Sequence, residues 1–181
     1  SLSPSQEAAQ KTLILQAKND HDSVGGRVRV TIKNVPIGLG EPLYYRLDAK
    51  LADAMMGINA AKAVEIGDGI DAATTFGSYN NDQIDKDGFM SNHAGGILGG
   101  ISNGEEINVY IHFKPTPSIF KPQSTTTITN SIENFELKGR HDPCVAIRGS
   151  IVCESMAALV IADMLLLNMG RRLDGIKRYY Q

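Results

Sequence analysis

The sequence predicts an α+β fold with helices packed against antiparallel sheets, strands lying in more than one sheet. Some segments alternate apolar and polar residues, the mark of half-buried strands. Others repeat apolar residues at helical spacing. Turn-rich links built from Gly, Pro, Asn and Asp separate the two kinds.

Taken in order, Ser3-Pro4-Ser5-Gln6 opens a first helix, with Ser3 as cap, Pro4 at the first helical position and Gln6 completing a capping box. It runs to Asn19, where Asn19-Asp20-His21-Asp22 breaks it. Past Gly25-Gly26, Val28, Val30 and Ile32 face one way and Arg27, Arg29, Thr31 and Lys33 the other. Pro36 to Pro42 is a turn-rich link. Leu47, Leu51, Met55 and Ile58, with Ala54 and Ala61, then place a second helix that Asn59-Ala60 ends. Val64-Glu65-Ile66 reads as a short strand.

Residues 71–92 are mostly polar, and a loop that long in a compact domain is functional or mobile. Ile107, Val109, Ile111 and Phe113 alternate as a further strand, which leaves His112 on the polar side. Thr125–Thr129 and Asn134–Leu137 read as two more strands, with a turn near Asn130-Ser131. Residues 151–169 form a run apolar enough to raise a membrane question. Glu154 and Asp163 lie within it, and a charge at mid-bilayer costs on the order of 3 kcal/mol. A core helix against a sheet is the better reading. In the tail, residues 171–181, Arg171, Arg172, Lys177 and Arg178 outnumber Asp174, which suits a solvated end or a contact with another subunit.

At 181 residues the chain has the length of about one domain. Its 18 Lys and Arg against 20 Asp and Glu leave a net charge of −2, which excludes a strongly basic nucleic-acid protein or a polybasic membrane binder. The N-terminus has neither a basic start nor an apolar core, so no secretory signal is expected. There is no initiator Met, so a processed chain or a piece of a longer one is expected. Cys144 and Cys153 sit in or beside apolar sequence and read as free buried thiols in a reducing compartment.

Three clusters could carry chemistry. In Ser91-Asn92-His93-Ala94-Gly95-Gly96-Ile97-Leu98-Gly99-Gly100-Ile101-Ser102, two Gly pairs let backbone N–H groups approach a flat ring or an anion. It is neither a Walker loop nor a dinucleotide fingerprint, and a plain Gly-rich turn fits as well. In Lys114-Pro115-Thr116-Pro117-Ser118, a cation at a strand end is followed by hydroxyls on a proline-stiffened loop, which suits a phosphate. The same residues also suit a Pro-rich surface turn. In Gly139-Arg140-His141-Asp142-Pro143-Cys144, Arg140 can grip a phosphate or carboxylate and Asp142 can accept a proton or orient a neighbour. A local Arg–Asp pair fits that segment too. No close Cys or His pair has zinc spacing among His93, His112, His141 and Cys144, so no metal is expected.

Read together, Gly38 to Pro42 (GLGEP), Met56 to Gly69 (MGINAAKAVEIGDG), Ser91 to Ser102, Lys114 to Ser118 and Gly139 to Val145 occur in an order that closely resembles chorismate synthase, from about Asp22 to Leu166. The resemblance implies a β-α-β sandwich and a cytoplasmic homotetramer. The family is about twice this length. Its N-terminal half carries two catalytic histidines and an arginine-rich segment, none of which this chain matches. The resemblance thus reads residues 1–181 as the C-terminal half, inactive by itself, with apolar surface left uncovered.

The implied activity is a 1,4-trans elimination of phosphate from 5-enolpyruvylshikimate 3-phosphate, giving chorismate. It requires reduced FMN, with NADPH or a flavin reductase as electron source, and involves no nucleic acid and no membrane. Carried over by motif, the FMN contacts are Asn59, Ala60, Gly99, Lys114, Pro115, Thr116, Pro117, Ser118 and Arg140. Asp142 matches the family's acidic residue near flavin N5. The alternative is a flavin- or phosphate-binding or oligomerisation module without catalysis.

Overall fold

The computed structural model describes residues 3–137, 139–171 and 173–181. Ser1 and Leu2 of the N-terminal reading, Lys138, and Arg172 of the basic tail lie outside the described residues.

Helix α1 (Pro4–Asn19) starts as its cap implies, the Ser3 hydroxyl accepting from the Gln6 N–H at 3.3 Å. The strand β1 (Gly26–Ile32) follows, then α2 (Leu47–Met56) and β2 (Ala61–Ile66). Helix α2 ends earlier than the apolar spacing predicts. Gly57 caps it, donating to the Asp53 carbonyl, so Ile58 to Ala60 form a turn and Ala61 opens β2. Glycine is a poor helix former, which is why the spacing alone overshoots.

Residues 71–92 hold short regular pieces. A 3-10 turn (Gly69–Thr74) leads to α3 (Gly77–Asn80) and to a hairpin of β3 (Ile84–Asp85) and β4 (Gly88–Phe89). The Gly-rich segment makes a second small hairpin, β5 (Ile97–Leu98) and β6 (Ile101–Ser102). Strand β7 (Ile107–Phe113) alternates buried and half-buried residues without a break. The hairpin β8 (Gln123–Thr126) and β9 (Ile132–Phe135) sits two or three residues before the predicted strands. Helix α4 (Ala146–Met169) begins five residues earlier than its apolar run, and α5 (Leu173–Tyr179) closes the chain.

Strand β7 lies at the centre of an antiparallel three-stranded sheet, β1-β7-β2. Gly26 pairs with Phe113 and Ile32 with Ile107, so one end of the sheet carries Gly26, Ala61 and Phe113. Helices α2 and α4 pack side by side on one face. Leu47, Leu51 and Met55 of α2 are fully buried against Ile107, Val109 and Ile111. Burying side chains of this size contributes roughly 1.5–3 kcal/mol each.

From α4, Ala146, Gly149, Cys153, Ala157 and Met164 face the core. A side chain at Gly149 would begin 2.8 Å from the tip of the Phe113 ring, so glycine lets α4 close onto the sheet. Both cysteines are free and buried, and burial pushes the Cys153 thiol above its ordinary range.

The long helix is not buried all round. By length and composition α4 could cross a membrane, but one strip of it packs on β1 and α2. The outward residues stay open, including Ile151 at 65% and Leu166 at 67% exposure. Among the described residues, one layer lies against the helix. The last turn of α4 is tied down by Asn168, which donates to the Gly38 carbonyl, and by Arg171, which bonds the Gly40 carbonyl and the Glu41 carboxylate. Arg171 is thus a fixed contact rather than a solvated cation.

Candidate functional site

Three loops meet at the Gly26–Phe113 end of the sheet: residues 20–25, 114–120 and 139–145. Polar bonds join them. The Ser23 hydroxyl donates to the Thr116 carbonyl at 2.6 Å, and the Thr116 hydroxyl to the Asp142 carbonyl at 3.0 Å. The Val24 N–H donates to the Pro143 carbonyl and the Phe120 N–H to the His21 carbonyl. Lys121 and Asp22 pair at 2.6 Å. That pairing, with the Ser23 N–H, holds the Asp22 carboxyl below the ordinary carboxylate range. Pro115 and Pro117 stiffen the centre of this mesh.

The second helix delivers Asn59 and Ala60 to the same end. The Lys114 N–H donates to the Ala60 carbonyl at 3.0 Å. Ala60 has φ +71, a left-handed conformation that costs a non-glycine residue roughly 1–2 kcal/mol. Held strain of this kind concentrates at functional positions.

The structure therefore brings together Asn59, Ala60, Lys114 to Ser118, Arg140 and Asp142. Among the described residues, the side chains of Asn59, Lys114 and Ser118 have no hydrogen bond or ion pair. Arg140 is 80% exposed at its side chain and reaches Asp142 only at 4.0 Å. This donor set suits an anion and the polar edge of a ring system.

Two hollows flank the cluster. A cavity of about 30 Å³, room for one water, lies between Lys18, His21, Ser118, Phe120, His141 and Asp142. His141 stacks edgewise on Phe120 at 4.9 Å, and its buried Nε2 has no hydrogen-bond partner. A groove of about 680 Å³ runs between α2 and α4, with Asp53, Asn59, Phe113, Arg148 and Met156 among its walls.

Gly99 is not part of this cluster. It sits with Gly100 at the tip of the β5–β6 hairpin, both at positive φ; a side chain at Gly99 would start in open space, whereas one at Gly100 would start 2.6 Å from Arg46. The Leu47 N–H at the start of α2 bonds the Gly100 carbonyl. Gly67, at the Ile32–Ile107 end of the sheet, bonds the Asn108 carbonyl and packs on Gly95. The hairpin thus belongs to the opposite end of the sheet from Lys114, on the order of 20 Å away along a seven-residue strand.

That second end has its own polar lock. Asp82 accepts from the Ser91 hydroxyl at 2.7 Å, the His93 N–H at 2.7 Å and the Ala94 N–H at 2.9 Å. Burial pushes the Asp82 carboxyl up, but these bonds together outweigh it and hold it below its usual range. His93 Nδ1 lies 2.6 Å from Asp68. The buried Ser102 hydroxyl donates to the Pro36 carbonyl and accepts from the Leu39 N–H. His93 is therefore a partnered loop residue.

His112 lies on the outer face of the sheet, half-buried, with Nε2 2.5 Å from Glu65 but off the hydrogen-bond direction. Two residues at the first end have no signal in the sequence reading. Ser23 follows a plain helix-breaking run, and Arg148 opens an apolar helix. Arg148 Nη1 lies 3.0 Å from Asp142 Oδ2, closer than Arg140 does.

These features mark an α+β unit whose sheet carries, at its Gly26–Phe113 end, the Asn59, Lys114 and Ser118 side chains free of hydrogen bonds among the described residues. A family model described as "Chorismate synthase" matches residues 1–166. The chain is 68% identical over 180 residues to "Chorismate synthase" of Sulfurimonas denitrificans, covering 99% of this chain and 50% of that protein. It is 63% identical over 179 residues to that of Sulfurovum sp. (strain NBC37-1), with 99% and 50% covered. It is 54% identical over 185 residues to that of Helicobacter pylori (strain G27), with 99% and 51% covered. A solved structure described as "Crystal Structure of Chorismate Synthase" superposes with a TM-score of 0.74 at 34% identity, covering 98% of this chain and 48% of that one. The chain belongs to the chorismate synthase family, and it spans about half the length of the curated relatives it matches.

Proposed function

We propose that this chain forms part of an enzyme that eliminates phosphate from 5-enolpyruvylshikimate 3-phosphate to give chorismate, with reduced FMN as cofactor. The observation that carries the reading is the free donor set at the sheet end that also holds Asp142, in a chain of this family. Lys114, Ser118 and Arg140 suit the phosphate and polar groups of the cofactor, and Asn59 its ring edge. The strained Ala60 turn and the proline-stiffened loop fix the backbone that carries Asn59 and Lys114 to Ser118.

Bound reduced flavin would supply transient electron density to help an allylic phosphate leave. The residues of this chain do the rest of the work at this end. Lys114 and Arg140 place positive charge beside anionic groups. Asp142, one-third exposed at its side chain, can take or orient a proton. In this reading the protein is a cytoplasmic homotetramer, and NADPH or a flavin reductase supplies electrons. The segment 71–92 is a mobile loop in this reading, and Gly99 also contacts flavin, from the other end of the sheet.

The test is a titration of the full-length protein with oxidised FMN, with and without substrate, following the flavin spectrum. A substrate-dependent spectral change and chorismate formation under reducing conditions are expected. The 181-residue chain alone is expected to bind FMN weakly or not at all and to turn over nothing. Binding of simple phosphate as tight as FMN, with no chorismate formed, would overturn the reading.

A further inference from the structure

Asp142 has two arginines near it, and they are held differently. Arg140 sits in the irregular loop beside Gly139 and is mostly exposed. Arg148 rises from the first turn of α4, whose backbone is fixed on both sides. A side chain at Gly26 would start 2.7 Å from the Ala146 methyl, and one at Gly149 would start 2.8 Å from Phe113. From that rigid base the Arg148 side chain, 63% exposed, brings Nη1 to 3.0 Å from Asp142 Oδ2 as an ion pair off the hydrogen-bond direction. At its other end Asp142 is held through its carbonyl by the Thr116 hydroxyl at 3.0 Å. One residue is thus pinned from the helix and from the Lys114–Ser118 loop. Arg148 also walls the groove that Asn59 lines.

We infer that Arg148 is the positioning residue for Asp142: its guanidinium aims the Asp142 carboxylate, which leaves Arg140 and Lys114 free to bind the ligand anion. The inference rests on the reading of Asp142 given above. Arg140 and Arg148 then have separate tasks, and their loss has separate signatures. Without Arg148 the acid keeps its place on the backbone but loses its aim. Misplacement of a reacting group by about 1 Å costs on the order of 100-fold in rate.

The experiment uses the full-length protein and the variants Arg148→Met, Arg148→Lys, Asp142→Asn and Arg148→Met with Asp142→Asn. Three readouts are taken: single-turnover chorismate formation, oxidised FMN affinity by fluorescence quenching, and the Asp142 carboxyl carbon shift by NMR. In Arg148→Met, kcat is expected to fall about 100-fold while KM and FMN affinity change less than about threefold. Arg148→Lys should recover part of the rate, because an ammonium keeps the charge on a shorter reach. The double variant should be no slower than Asp142→Asn alone, since the two residues act as a unit. The Asp142 carbon signal should move in Arg148→Met.

An FMN affinity that falls more than about tenfold in Arg148→Met would make Arg148 a ligand for the anion and overturn the inference. So would rate losses that multiply in the double variant. A wild-type protein that forms no chorismate would sink the functional reading instead. The Asp142 signal would still decide the pairing, an unmoved signal counting against it. If Arg148→Met does not fold, Arg148→Lys carries the same comparisons.

Discussion

Closure of α4 onto the sheet at Gly149 is what fixes Arg148 near Asp142, and Gly149→Val perturbs it directly. A Cβ at residue 149 would lie 2.8 Å from Cζ of Phe113 and 3.2 Å from Cε1 and Cε2. Carbon atoms rest at about 3.5–4.0 Å, so the helix and ring must part by roughly 0.7 Å or more. Phe113 is only 4% exposed, so its ring has nowhere to turn. Overpacking of this kind costs about 1–3 kcal/mol. Helix propensity acts the other way, favouring Val over Gly by a few tenths of a kcal/mol. The control is Ala158→Val on the exposed side of the same helix, which loses about 0.6 kcal/mol of propensity and meets no packing. Propensity alone would make the first variant more stable than wild type and the second less. With packing dominant, urea unfolding should place Gly149→Val below wild type and below Ala158→Val, the latter gap being up to about 2 kcal/mol. A Gly149→Val protein at least as stable as wild type would refute the reasoning.

Leu51→Ala empties a fully buried site between α2 and the sheet, and should cost about 2–5 kcal/mol in urea unfolding, against less than about 0.5 for the exposed Ile128→Ala. The lowered Asp82 carboxyl contributes stability that is present above its unfolded value near ~4 and lost as pH falls through the folded one. The His93 and Ala94 amide signals should therefore shift in acid in the wild type, and stay flat across that window in Asp82→Asn. Lys114→Met and Arg140→Met should each weaken FMN binding about tenfold in a fluorescence titration without changing the melting point, since neither side chain has a close partner. Cys153 is buried and its thiol pushed up, so alkylation should reach it only once urea unfolds the chain.

The sequence was most readable where one face of an element meets the core. Strands β1 and β7 alternate because α2 and α4 cover one side of the sheet, and the Leu47-Leu51-Met55 spacing marks the matching helix face. It was less readable at exposed elements. All four residues of β9 are exposed, so no core fixes the register and the hairpin slid by two or three residues. The start of α4 was hidden because Val145 offers no capping side chain.

The site was legible as motifs but not as a layout. Lys114 to Ser118, Arg140, Asp142 and Asn59 are candidates from residue type and resemblance, and the fold sets them at one end of the sheet. That Gly99 lies at the opposite end depends on strand pairing, which local spacing does not report. Arg148 meets Asp142 only because the loop through Pro143 turns into a helix, so its role has no linear signature. The strained backbone of Ala60 is hidden for the same reason.

Single-turnover formation of chorismate by the full-length protein, with reduced FMN and 5-enolpyruvylshikimate 3-phosphate, measured in wild type and Asp142→Ala, tests the central claim most directly. The expected result is a wild-type burst of chorismate and phosphate in equal amounts, slowed about 100-fold or more in Asp142→Ala with FMN still bound. An Asp142→Ala protein working at the full rate, or a wild type that releases no phosphate, would contradict it.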